Sequence, residues 1–197
     1  MQQIILASQS PRRKMLLEWA EIPFEVIVVP TDESFSLEIP LIEIPIHIAK
    51  QKLEAVREKV ERVGEKVEAG RIILAADTIV VLKDEVLNKP ANKEEAIAML
   101  TKLSGKEHQV ITGVTIYDPV TNKQHQFAET TTVRFHELTD AQIMHYVEVY
   151  QPYDKAGAYA IQEWIGVVGI AAITGDFYNV MGLPISKVVQ LLHTINN

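Results

Sequence analysis

A carboxylate in the middle of an apolar strand is the first residue that asks for a chemical explanation. Asp77 lies in Arg-Ile-Ile-Leu-Ala-Ala-Asp-Thr-Ile-Val-Val at 71–81, which follows Gly70 and is closed by Lys83, Asp84 and Glu85. Such a run of β-formers predicts a strand buried on both faces. An ionised acid there is costly unless a cation or several donors meet it. Ala75 and Ala76 leave room for an approaching group. The plain alternative is an ion pair with a structural Arg or a loop cap; the chemical one is a metal-binding or base carboxylate. A second stretch, Ser-Gln-Ser-Pro-Arg-Arg-Lys at 8–14, puts three cations at a predicted helix start. The helix dipole prefers acids there. An anion held by free N–H groups, Ser hydroxyls and Arg forks accounts for them. A basic helix end paired with surface carboxylates is the competing explanation.

The elements that must position these groups follow from the pattern. Ile4 to Ala7 predicts a short strand, and Ser10 as N-cap with Pro11 behind it predicts a helix to about Ala20. Phe24 to Val29 predicts the next strand, ending in the polar loop Pro30-Thr31-Asp32-Glu33-Ser34. Glu33 gains chemical meaning only if its strand lies beside that of Asp77, where both acids could hold one hard cation. Ile46, Ala49, Leu53, Val56, Val60, Val63 and Val67 form one apolar seam on a long helix that Gly70 stops. Lys52, beside Leu53, is the cation on that helix able to point back toward the site.

Val86-Leu87 reads as a return strand leading to Asn88-Lys89-Pro90, where Pro90 keeps Lys89 extended. Asn92 caps a helix with Glu95 in the capping-box position and a stop at Ser104-Gly105. Gln109–Tyr117 and Gln126–Phe135 predict a hairpin, and Thr139 caps a helix to about Tyr150. The polar loop 152–162 ends in Gln162, and long loops in compact domains tend to be functional. Val167–Ile173 and Tyr178–Met181 predict a second hairpin, and Pro184 opens a last helix. Alternating strands and helices followed by hairpins predict an α/β fold with a mixed sheet.

The totals narrow the function. At 197 residues the chain can build one sizeable core, or two small lobes sharing a sheet. A net charge of −7, from 19 basic and 26 acidic side chains, disfavours a nucleic-acid surface. An anionic substrate would need local cations and a divalent metal to overcome that charge. The absence of cysteine excludes disulfides, thiolate zinc sites and a Cys nucleophile. No apolar run is long enough to span a membrane, and the N-terminus lacks the features of a signal peptide. The expected location is the cytoplasm.

Several of these stretches, in order and at matching spacing, resemble the Maf family of nucleotide pyrophosphatases. They are Ile-Leu-Ala-Ser-Gln-Ser-Pro-Arg-Arg at 5–13, Ala-Asp-Thr-Ile-Val at 76–80, Asn-Lys-Pro at 88–90, Leu-Ser-Gly-Lys-Glu-His-Gln-Val-Ile-Thr at 103–112, Asp-Lys-Ala-Gly-Ala-Tyr at 154–159 and Gly-Asp-Phe-Tyr-Asn-Val-Met-Gly-Leu-Pro at 175–184. The resemblance implies a single Maf-like domain over 1–197, with a long curved mixed sheet and flanking helices in two lobes around a cleft (Maf/ITPase-like), and a possible homodimer. It implies cleavage of a nucleoside triphosphate between the α and β phosphates, giving a monophosphate and pyrophosphate.

On this resemblance Asp77 is the acidic catalytic residue, accepting the attacking water's proton, and the substrate-binding positions are Ser8, Arg12, Arg13, Lys52, Thr78, Lys89 and Gln162. Arg12, Thr78 and Gln162 mark the dTTP/UTP subgroup, which implies hydrolysis of normal or modified pyrimidine nucleotides in a house-cleaning role. Asp77 and Glu33 would hold a Mg²⁺ or Mn²⁺ through oxygen ligands. Ala76, Ala160 and Glu163 depart from the family pattern, which often has Gly at those places, and Glu163 beside Gln162 bears on base preference. Two other readings remain: a non-catalytic nucleotide-binding regulator of septum formation, and a phosphomonoesterase releasing orthophosphate.

Overall fold

The computed structural model describes residues 2–36, 38–63 and 70–195. Among them seven strands form one mixed sheet: β1 (Ile4–Leu6), β2 (Phe24–Val26), β3 (Ile73–Leu82), β4 (Glu85–Leu87), β5 (Glu107–Asp118), β6 (Lys123–Phe135) and β7 (Ile170–Thr174). The order is β2-β1-β3-β5-β6-β7, with β4 paired to β3. β1 runs parallel to β2 and β3, whereas β4 is antiparallel to β3 and β7 to β6. The helices are α1 (Pro11–Trp19), α2 (Ile44–Val63), α3 (Lys93–Leu103), α4 (Asp140–Tyr150), α5 (Trp164–Gly169), α6 (Phe177–Met181) and α7 (Ile185–Ile195). The mixed α/β architecture expected from the sequence is the one observed. No described helix is long and apolar enough to cross a membrane.

The chain divides into two compact units, residues 1–77, 112–129 and 182–197 in the first, and 78–111 and 130–181 in the second. β3, β5 and β6 each contribute residues to both.

In the first unit the α2 seam behaves as its periodicity dictates. Ala49, Leu53 and Val56 are buried against Ile5 and Ala7 of the β1 segment and Ile73 and Ala75 of β3, with Val60 partly buried beside them. Val67 and the side chain of Val63, also expected on this seam, lie outside the described residues. The seat of α2 depends on Gly113 of β5: a Cβ there would fall 2.2 Å from the Ile46 amide nitrogen and 2.3 Å from the Pro45 carbonyl carbon. Only glycine lets the two backbones come so close.

The second unit packs α3 against α4, burying Leu100, Leu103, Ile143, Tyr146 and Val147. Both helices start on the residues the sequence nominates. Asn92 accepts from the Glu95 N–H at 2.9 Å. Thr139 forms a full capping box with Gln142.

The expected hairpin over 167–181 is not there. Residues 164–169 are helical, 170–174 form β7, and 177–181 are helical again. Val167 and Val168 read as strand by propensity, but Gly166 and Gly169 permit tight packing that outweighs it. A Cβ at Gly166 would lie 1.7 Å from the Ile161 carbonyl oxygen. Asp176 turns the following residues into a helix by accepting from the Tyr178 and Asn179 N–H groups, at 2.7 and 3.2 Å. Its short side chain thus acts as a helix cap.

Candidate active site

Asp77 reaches its position by strand alternation. Side chains two apart on a strand share a face, so Asp77 follows Ile73 and Ala75 onto the face covered by α2. Along β3, Asp77 and Thr78 alone are only half-buried, with buried residues on either side. Lys52 stands at the edge of the α2 seam beside Leu53, and its Nζ donates to Asp77 Oδ1 at 2.6 Å. The same ammonium lies 3.0 Å from Glu33 Oε1. Two acids from distant parts of the sequence therefore converge on one cation. The Lys52 and Asp77 side chains are only 16% and 13% exposed, and Glu33 is 47% exposed. Such a partly sheltered cluster is screened less than a surface pair.

The arginine that opens the same run of sequence is paired elsewhere. Arg71, buried at the start of the β3 segment, donates to Glu25 at 2.7 Å and to Gln3 at 3.1 Å. That pair ties β2 to the β3 approach.

The loop between β1 and α1 is organised by Arg13. Its Nε donates to the Gly182 carbonyl at 2.7 Å and its Nη1 to Ser8 Oγ at 3.1 Å. Ser8 Oγ also accepts from the Ser10 N–H at 3.3 Å. Ser10 occupies the N-cap position, yet its side chain makes no cap bond. Burial pushes the Arg13 guanidinium down from its ordinary range; Asp77 and Glu33 pull it up, and Arg12 pushes it down. Arg13 is thus electrostatically tied to the acids that Lys52 engages. Gly182 was missed by sequence reasoning as a site-building residue. The motif at 175–184 was the available signal, but its carbonyl contact with residue 13 spans most of the chain.

Of the remaining positions, Arg12 is the half-buried second residue of α1, and Thr78, Lys89 and Gln162 belong to the second unit. Thr78 follows Asp77 on β3, and alternation puts it on the face of Val80. Against Val80 packs Gly157, whose added Cβ would lie 3.0 Å from both Val80 methyls. The loop that ends in Gln162 therefore lies on Thr78's face of β3. Gln162 itself is exposed, as is Lys89. Glu163, suspected of altering base preference, is held instead by its own neighbours: Tyr146 OH donates to it at 2.5 Å, and Lys155 Nζ lies 3.4 Å away.

A metal would find two carboxylates here, Asp77 and Glu33, close enough to share Lys52. Among the described residues no group of three or more acidic, His or Cys side chains gathers into a ready-made metal centre. Two carboxylates fit a Mg²⁺-type ion whose remaining ligands are water and substrate phosphate oxygens.

A family model described as Maf-like protein matches residues 3–195. The chain belongs to the Maf family. Among curated relatives, a Cytophaga hutchinsonii protein named dTTP/UTP pyrophosphatase is 47% identical over 98% of this chain and 84% of its own length. Proteins of the same name from Parabacteroides distasonis and Halalkalibacterium halodurans are 48% and 44% identical, covering 96% and 98% of this chain and 94% and 95% of their own lengths. Among solved structures, the Staphylococcus aureus Ham1 protein overlaps at a TM-score of 0.45 and 15% identity, over 68% of this chain and 72% of that one. So slight a likeness carries no weight for the site of this Maf protein.

Proposed function

We infer that this Maf protein is a nucleoside triphosphate pyrophosphatase of the dTTP/UTP type, yielding the monophosphate and pyrophosphate. The observation that carries the reading is the Asp77–Lys52–Glu33 cluster, in a chain so close to proteins named for that activity. Phosphoanhydride hydrolysis depends on positioning and charge neutralisation more than on covalent help. Arg12, Arg13, Lys52 and Ser8 supply cations and a hydroxyl for phosphate oxygens. Lys52 starts from its two carboxylates, so binding of phosphate requires it to share or exchange partners. Asp77 accepts the proton of a water attacking the α-phosphorus. The bond from that phosphorus to the bridging oxygen breaks, and pyrophosphate leaves with the electron pair. A divalent cation held by Asp77 and Glu33 would supply further neutralisation of phosphate charge.

On the family motifs, Thr78, Lys89 and Gln162 are further substrate-binding residues. The Gln162 amide offers one donor and one acceptor, matching the O4 and N3–H of uracil or thymine. Residues 1–197 act as one Maf-like domain on this reading, because the family match runs across both units. The reading also includes a cytoplasmic protein, free to form a homodimer, with no nucleic-acid or membrane partner. A regulator that only binds nucleotide would have no use for an acid kept mid-strand against a lysine.

The deciding assay incubates the protein with dTTP, UTP, CTP, ATP or GTP and Mg²⁺ or Mn²⁺, and identifies the products. Metal-dependent release of monophosphate and pyrophosphate from dTTP and UTP is expected. Orthophosphate release, or tight binding without turnover under either metal, would reject the reading.

A further inference from the structure

Gln162 is exposed at the end of a loop, where a side chain and its backbone ordinarily sample many conformations. Here the backbone around it is pinned from both sides by one buried phenol. Tyr146 of α4 is fully buried. Its hydroxyl accepts from the Ala160 N–H at 3.1 Å and donates to Glu163 Oε2 at 2.5 Å. Those two partners are the residues two before and one after Gln162. The turn closes on itself through the Glu163 N–H to the Ala160 carbonyl at 3.1 Å. Ile161 is fixed too, its carbonyl lying where a Cβ on Gly166 would be.

Glu163 is tied a second time. Lys155, itself buried, places its Nζ 3.4 Å from Glu163 Oε1 and 2.7 Å from Asp154 Oδ1. This commitment explains why Glu163, at the N-cap position of α5, makes no side-chain cap bond there. A buried hydroxyl that serves one donor and one charged acceptor is fully satisfied, and losing either partner leaves a polar group stranded.

We propose that Tyr146, Glu163 and Lys155 form a clamp that sets base recognition by fixing the turn presenting Gln162. The proposal rests on the pyrimidine-triphosphatase reading and on Gln162 as its base-reading residue. These are positioning residues; none of them is assigned a contact with substrate. A preset turn removes conformational entropy that base binding would otherwise cost. Glu163, a departure from the family pattern, therefore acts on base preference by holding Gln162 still.

The test compares Tyr146→Phe, Glu163→Ala and Glu163→Gln with Gln162→Ala and the unaltered protein, measuring kcat and KM for dTTP, UTP and CTP alongside thermal unfolding. Tyr146→Phe and Glu163→Ala are expected to raise the KM for dTTP about tenfold, the equivalent of one good hydrogen bond. They should lose a similar factor of dTTP-over-CTP preference while kcat stays within about twofold. Glu163→Gln keeps an acceptor for the Tyr146 hydroxyl and should recover most of the loss. If Tyr146→Phe does not fold, Glu163→Ala decides, because that side chain is partly exposed. Folded variants with unchanged KM and unchanged base preference would overturn the clamp, even if their melting temperatures fall, provided Gln162→Ala loses base preference. If Gln162→Ala also keeps base preference, the base-reading role falls and the clamp with it.

Discussion

The two compact units solve different physical problems. The first works with charge. Arg13, Lys52, Glu33 and Asp77 come from four separate stretches of chain: Lys52 bridges the two acids, and both acids act on Arg13. The second adds directional hydrogen bonds, some of them charge-assisted: a closed turn at 160–163, Tyr146 between the Ala160 N–H and the Glu163 carboxylate, and Lys155 beside that carboxylate. On the proposed reading the charged groups meet phosphate oxygens, and Arg12 among them also marks the dTTP/UTP subgroup. Directional bonds suit a part that must distinguish bases differing by one donor or acceptor. On the proposed reading, catalysis at Asp77 and base selection at Gln162 fall to separate residues.

This division can be broken most directly at Asp77. Asp77→Asn should lower pyrophosphate release from every accepted nucleotide by about a thousandfold, near 4 kcal/mol in barrier height, with base preference unchanged and the fold retained. Product release assays and circular dichroism check both halves. A variant that shifted base preference as well would show that the two functions are coupled.

The next effect concerns the second unit's interior. His108 is buried, stacked on Phe135, with its Nε2 2.7 Å from Tyr159 OH. Burial pushes its pKa down to about 4. The unfolded chain, with an ordinary imidazole near 6.5, binds the proton more readily, so stability rises with pH between those values. It is fully present above about pH 6.5 and is lost as pH falls toward 4, by on the order of 3 kcal/mol. Denaturant unfolding at several pH values should show this fall, and His108→Gln should flatten it. A slope that persists in His108→Gln would move the cause to the acids of the first unit.

A smaller effect sharpens the contrast. Gln162→Ala should reduce dTTP-over-CTP preference roughly tenfold, about 1.4 kcal/mol, while kcat for dTTP changes little. Competition kinetics on mixed nucleotides would read this directly. The smallest is structural: Thr139→Ala removes the α4 capping box and should cost about 1 kcal/mol of stability, without altering either kcat or base preference. Chemical denaturation and steady-state rates on the same sample would test it.

Much of this was legible in the sequence because local chemistry and periodicity agree. The α2 seam as far as Val60, the caps at Asn92 and Thr139 and the buried β3 run each follow from neighbouring residues alone. What was not legible depends on distance. Lys52 was nominated as a phosphate ligand, but its engagement with both Asp77 and Glu33 requires the register of α2 over the sheet. Arg13 was read as a fork for anions, yet its contact with the Gly182 carbonyl exists only once the C-terminal segment has folded back. The segment 164–181 was misread because Val167, Val168 and Tyr178 favour strand locally. Backbone approach at Gly166 and the Asp176 cap decide otherwise, and neither has a signature in hydrophobic pattern.

Gly113 has a reach beyond its own surroundings. It lies beneath the first turn of α2, at Pro45 and Ile46, and Lys52 sits six residues further on, about 9 Å along the axis. A methyl group at position 113 would work as a wedge under the end of a rigid bar, tilting the ammonium away from both acids. The alignment of the charges is thus set by a residue that carries none, and drift at 113 would detune the enzyme without touching any group that meets substrate.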